Sequence, residues 1–138
     1  MHSNMEQTDT TTTQQSQKTV LCIEDERFIG ELYTRALEKA GYRVVVENNG
    51  EVGLQKASSG NYDVILLDIM LPGMNGVDVL YKLKDAGNPA ANKSKIIITT
   101  NLDQKEDIRQ KVEQLADGYI IKAEVTPKEL VGYVQQVA

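Results

Sequence analysis

The residues of this chain that could do chemistry are few, and they recur in one kind of place. Glu24, Asp25 and Glu26 close the apolar run VLCI, Asp68 closes YDVILL, Thr99 and Thr100 close KIII, and Lys122 closes GYII. Clustered carboxylates repel one another, and a divalent cation relieves the repulsion. Mg²⁺ suits such a set, because it takes oxygen ligands and needs only one or two carboxylates besides water and phosphate. A carboxylate beside the ion can attack phosphorus and form an acyl phosphate. A hydroxyl and an ammonium can then hold the phosphoryl oxygens. One acid at the end of one apolar run means little, and the joint placement carries the inference.

Other chemistries are excluded by what is missing. The only histidine is His2, in a polar stretch, and the only cysteine is Cys22, inside an apolar run. A His-containing triad, a zinc site built on His and Cys, and an internal disulfide are therefore ruled out. Cys22 is expected to be a buried, inert thiol.

The elements that must position these residues are legible from periodicity. KTVLCIEDE reads as a buried strand. Ile29, Leu32, Tyr33, Ala36, Leu37 and Ala40 follow at helical spacing, with Gly41 as the stop. Tyr42–Glu47 is a second strand, Asn48, Asn49 and Gly50 a turn, and Gly53, Leu54 and Ala57 a short helix. Tyr62–Asp68 is a third strand, Leu71–Gly76 a turn-rich loop, and Val77, Leu80 and Leu83 mark a helix. A longer loop, Gly87–Ser94, leads to the strand Lys95–Thr100 and to a helix marked by Ile108, Val112 and Leu115. Gly118–Lys122 is the fifth strand. Thr126, Pro127 and Glu129 form a capping box before a last helix with Leu130, Val131, Val134 and Val137. Strand and helix thus alternate five times. Near-continuous apolar strands imply a parallel α/β sheet covered on both faces, in which ligands bind at the carboxyl ends of the strands.

At 138 residues, with 41% apolar and 25% charged residues, the chain suits one globular domain. A net charge of −5 speaks against direct nucleic-acid binding. No apolar run approaches the roughly 18 residues of a membrane span, and no signal peptide precedes the first strand, so a cytoplasmic location is expected. Residues 1–17, rich in Thr and Gln, are expected to be a disordered tail ahead of a domain over 18–138.

The pieces VLCIEDE, DVILLDIMLPGMNG, KIIITTN and ADGYIIKA together resemble the receiver domain of two-component response regulators, from Lys18 to Ala138. The resemblance implies a flavodoxin-like doubly wound (βα)5 sheet of order 2-1-3-4-5. It also implies Asp68 as phosphoacceptor. Asp25 would bind Mg²⁺ directly, Glu24 through water, and Met70 through its backbone carbonyl. Thr100, preferred over Thr99 by alignment, would be the switch hydroxyl, Lys122 the phosphoryl-binding lysine and Tyr119 the rotating aromatic. Glu26 is read as a solvated charge at a helix start.

Three departures from the family pattern stand out: Glu24 for the common Asp, Asn101 for a small residue, and Ala123 for a proline. The family's cis bond after the lysine would cost about 2.5–4 kcal/mol without proline, and it is nonetheless expected here. The implied function is a stand-alone regulator rather than an enzyme. It would be phosphorylated by a histidine kinase or histidine phosphotransfer protein and signal to an unknown output protein, as a monomer or weak phosphorylation-dependent dimer. The competing readings are a degenerate receiver that only binds, and a Mg²⁺-dependent phosphohydrolase with an Asp nucleophile.

Overall fold

The computed structural model describes residues 17–101 and 104–138. The expected tail, apart from Gln17, and Leu102 lie outside the described residues. Five strands alternate with five helices: β1 Thr19–Ile23, α1 Arg27–Lys39, β2 Arg43–Glu47, α2 Gly50–Ala57, β3 Val64–Asp68, α3 Gly76–Lys84, β4 Lys95–Thr100, α4 Glu106–Leu115, β5 Gly118–Ile121 and α5 Pro127–Val137. All strand pairs are parallel, and the sheet order is β2-β1-β3-β4-β5, as expected.

Alternation along each strand divides the core into two layers, because successive side chains point to opposite faces. Leu21 and Ile23, Ile65 and Leu67, and Ile96 and Ile98 pack with Ala57, Leu80 and Val112, the layer of α2, α3 and α4. Val20 and Cys22, Val64 and Leu66, Ile97 and Ile120 pack with Tyr33, Leu37, Leu130 and Val134, the layer of α1 and α5. The central strand β3 is buried along its whole length, which is why it reads as an unbroken apolar run ending in Asp68.

Local signals set the helix starts. Asn49 accepts hydrogen bonds from the backbone N–H groups of Glu51 and Val52, and Asn75 accepts one from that of Asp78. The Thr126–Glu129 capping box forms as expected, with Pro127 at the first turn. Asp117 fixes the start of β5: its Oδ2 accepts from the Ile96 N–H at 2.8 Å and lies 3.1 Å from the Lys84 Nζ. Some details differ from expectation, among them the start of β2 at Arg43 rather than Tyr42. β3 begins at Val64 rather than Tyr62, and the loop before β4 contains a 3-10 turn, Pro89–Asn92, that buries Ala90.

Where β3 leaves the sheet, Gly76 closes the loop against the strand end. Its N–H donates to the Ile69 carbonyl at 2.8 Å, and a Cβ on Gly76 would stand 2.1 Å from the carbonyl oxygen of Asp68. Both collision partners are backbone, so the loop itself must shift. Gly76→Ala is therefore expected to destabilise the protein by about 1–3 kcal/mol. Gly132, inside α5, has open space at the same position, so Gly132→Ala is expected to stabilise by about 0.5–1 kcal/mol. Urea unfolding of the two variants checks both signs.

Candidate functional site

The carboxyl ends of β1, β3, β4 and β5 meet at one edge of the sheet. Glu24 continues the row of Val20 and Cys22, Asp68 that of Val64 and Leu66, and Lys122 that of Ile120, all on the α1–α5 layer. Their side chains converge. Lys122 Nζ lies 3.1 Å from Asp68 Oδ2 and 2.7 Å from Glu24 Oε1, and the three side chains are only 3%, 2% and 1% exposed. Asp25, exposed, completes a cluster in which oxygens of Glu24, Asp25 and Asp68 lie within 4.8 Å of one another. Asp68 Oδ1 accepts from the Met70 N–H at 3.1 Å, which turns the carboxylate toward the loop.

Burial dominates the electrostatics. It pushes the Glu24 carboxyl up from the usual 4.5 to about 7, against the opposing pull of Lys122. Burial likewise raises Asp68, with Lys122 and the Met70 N–H working the other way. For Lys122, burial alone would lower the pKa, but Glu24 and Asp68 outweigh it, so the amine stays charged. Four carboxylates, Glu24, Asp25, Glu26 and Asp68, gather about one ammonium, an excess of three negative charges when all are ionised. Glu24 Oε1 meets Lys122 as an ion pair outside hydrogen-bond geometry, and no other donor among the described residues reaches it. An oxygen-lined, under-neutralised pocket fits a hard divalent cation. The surface cleft lined by Glu24, Asp25, Arg27, Val46 and Glu47 touches this cluster from the β2 side and includes neither Asp68 nor Lys122.

Thr100 and Tyr119 belong to the opposite row. Thr100 continues Ile96 and Ile98, and Tyr119 packs on the same α2–α4 layer. Asp68 is in register with Thr99, so Thr100 stands one residue beyond it. Gln104 links the two: its Nε2 donates to Thr100 Oγ1 at 3.4 Å and its backbone N–H to the Tyr119 hydroxyl at 3.3 Å. Arg109 lies over the Tyr119 ring at 4.7 Å.

Two expectations need correction. No cis peptide bond occurs among the described residues, so Lys122–Ala123 is trans. β5 ends at Ile121, and Lys122 opens a 3-10 turn, Lys122–Glu124. That turn brings the ammonium to Asp68 with a trans bond, and without proline nothing offsets the cost of the cis form. Glu26, read as solvated, is 46% exposed, and its Oε2 lies 3.3 Å from Lys122 Nζ and accepts from Asn101 Nδ2 at 3.2 Å. Sequence reasoning missed Glu26 and Gln104 as members of the site, whereas Asn101 had stood out as a departure from the family pattern. The contacts of Glu26 span 75 and 96 residues, and no local pattern encodes them.

Residues 20–135 match the family model for the response regulator receiver domain. The transcriptional regulatory protein CusR of Escherichia coli K12 is 39% identical over 103 residues, covering 75% of this chain and 44% of that protein. The response regulator ArlR of Staphylococcus haemolyticus is 37% identical over 106 residues, covering 75% of this chain and 45% of that protein. The chain thus spans less than half the length of these curated relatives. Among solved structures, the response regulator TrrA of Thermotoga maritima, in complex with Mg(2+)-BeF, superposes with a TM-score of 0.73 at 32% identity, covering 88% of this chain and 99% of that one. A CheY-like receiver domain protein from Methanospirillum hungatei gives 0.76 at 28% identity, covering 88% and 93%. No helix among the described residues is long and apolar enough to cross a membrane.

The raised pKa of Glu24 makes the metal-free protein pH-sensitive. An acid whose folded pKa lies above its unfolded value favours the folded state fully below the unfolded pKa, and that contribution is lost as pH rises through the folded pKa. In EDTA, wild type should therefore lose stability relative to Glu24→Gln between about pH 4.5 and 7. Saturating Mg²⁺ should narrow the gap at pH 8. Urea midpoints of both proteins across that range, with and without the ion, test the sign. A gap independent of pH would show that Glu24 does not titrate abnormally.

Proposed function

The chain belongs to the response regulator receiver family, and on that premise we propose that Asp68 accepts a phosphoryl group from a histidine kinase or histidine phosphotransfer protein in the cytoplasm. The signal then passes through protein contact. The observation that carries this reading is the buried triad of Asp68, Glu24 and Lys122 beside the exposed Asp25. One Asp68 oxygen attacks phosphorus. The bond from phosphorus to the donor nitrogen breaks, the leaving group keeps the electron pair, and an acyl phosphate forms. Lys122 balances the negative charge on the transferred oxygens, and Thr100 offers them a hydroxyl. Glu24, Asp25, Asp68 and the Met70 carbonyl are the proposed Mg²⁺ ligands, with Glu24 acting through water. Bound there, the ion would neutralise charge between carboxylates and phosphoryl oxygens.

The switch rests on Thr100 and Tyr119. A phosphoryl oxygen gives the Thr100 hydroxyl a charged acceptor, and turning toward it draws Oγ1 away from the Gln104 Nε2 that now donates to it; Gln104, whose backbone N–H donates to the Tyr119 hydroxyl, then carries the movement to Tyr119. Two such states must lie within a few kcal/mol for phosphorylation to shift the population. Acetyl phosphate with Mg²⁺ should add one phosphoryl group, EDTA should prevent it, and Asp68→Asn should abolish it. Beryllofluoride should move amide resonances through α4, β5 and α5. A fully labelled Asp68→Asn protein would exclude Asp68 as the acceptor, and shifts confined to the loops around Asp68 would exclude the switch.

Met70 bears on the lifetime of the acyl phosphate. Hydrolysis needs a water in line with the oxygen–phosphorus bond, and an amide two residues after the acceptor could hold it. The Met70 side chain is 67% exposed, and a thioether is a poor acceptor. Met70→Asn should speed loss of the phosphoryl group about tenfold, the worth of one well-placed hydrogen bond. Equal decay rates after donor removal, from fully phosphorylated proteins at equal Mg²⁺, would refute the role of Met70.

A further inference from the structure

Glu26 sits at the N-cap of α1, where a short polar side chain ordinarily accepts an N–H of the first turn. It makes no such bond. Its backbone N–H donates to Glu24 Oε2 at 3.1 Å, which fixes the chain entering the helix. Its carboxylate turns away from the helix and across the site. There a single oxygen, Oε2, meets Lys122 Nζ at 3.3 Å and Asn101 Nδ2 at 3.2 Å. These two nitrogens come from the ends of β5 and β4, and the same ammonium is bound to Asp68 Oδ2 at 3.1 Å. A negatively charged oxygen between an ammonium and an amide, beside the acceptor carboxylate, has the chemistry of a phosphoryl oxygen. Four carboxylates thus surround the pocket, counting Asp25, and three of them share the one ammonium.

We propose that Glu26 is an internal competitor for the phosphoryl group. In the unphosphorylated protein its carboxylate occupies the donors Lys122 Nζ and Asn101 Nδ2, and it swings into solvent when the phosphoryl group arrives. Resting on the assignment of Asp68 as acceptor, this inference adds a threshold to that reaction. The half-exposed position of Glu26 permits the exchange, because its carboxylate can be rehydrated as it leaves. Buried Glu24, held at 2.7 Å from the same ammonium, has no such exit. Glu26 is a positioning residue, and it takes no part in bond making or breaking.

The test separates contact from bulk charge. Glu26→Ala removes both. Glu26→Asp keeps the charge but is one methylene shorter, and its carboxylate is suited to cap α1 instead. Phosphorylation by acetyl phosphate is followed for wild type and both variants, each at its own saturating Mg²⁺. Both variants are expected to react about two- to fivefold faster, the worth of an ion pair with one partner half exposed. In the Mg²⁺-free proteins, the Asn101 side-chain amide resonances should move in both variants alike. A faster Glu26→Ala with Glu26→Asp at the wild-type rate would reduce Glu26 to a repelling charge and overturn the proposal. Variants at or below the wild-type rate would overturn it too. Failure of wild type itself to be labelled would remove the Asp68 assignment and this inference together. Labelling of wild type with no gain in either variant would remove only this inference.

Discussion

A lysine ammonium buried to 3% exposure must be paired, and in this molecule it is paired with two carboxylates that are buried as well. Such an arrangement is a poor source of stability. Desolvating three ions costs several kcal/mol each, and their attraction roughly returns it. Removing one partner is far worse, because the remaining charge is left without compensation. Lys122, Asp68 and Glu24 are thus bound to each other, and the strands that carry them must end level. The continuous registers of β1 with β3, β3 with β4, and β4 with β5 meet that demand. Asp117 holds the far end of β5 on β4 through Ile96.

The cluster is also unbalanced, and the imbalance makes it responsive. Burial raises both Glu24 and Asp68 above ordinary carboxylates. Added positive charge stabilises the ionised acids, whereas added negative charge has to be met by Lys122 and the neighbouring donors. The site as it stands favours a cation.

Side-chain parity puts the proposed chemistry and its proposed readout on different faces of the sheet. Asp68, Glu24 and Lys122 lie on the layer of α1 and α5, while Thr100 and Tyr119 lie on the layer of α2, α3 and α4. β4 belongs to both, since Thr99 and Thr100 point to opposite faces. The end of that strand is therefore where an event on one face can be felt on the other. Gln104, beyond that end, is bonded to both Thr100 and Tyr119.

The sequence by itself determined the alternation of strands and helices, the sheet order by resemblance, and which residues stand at the strand ends. These follow from periodicity and from the rule that parallel strands deliver their carboxyl ends to one edge, properties that five or six adjacent residues express. Asp25 and Asp68 were legible because each closes an apolar run. Only the tertiary structure decided how the side chains share their charges. It set the ammonium of Lys122 among three carboxylates, brought Glu26 off its own helix and onto Asn101, and reached Asp68 through a trans bond where a cis one was expected. Those outcomes depend on distances between segments 75 to 96 residues apart and on what burial does to each charge. Neither is a property of any local stretch of chain, because an ion's worth is fixed by the neighbours and solvent around it.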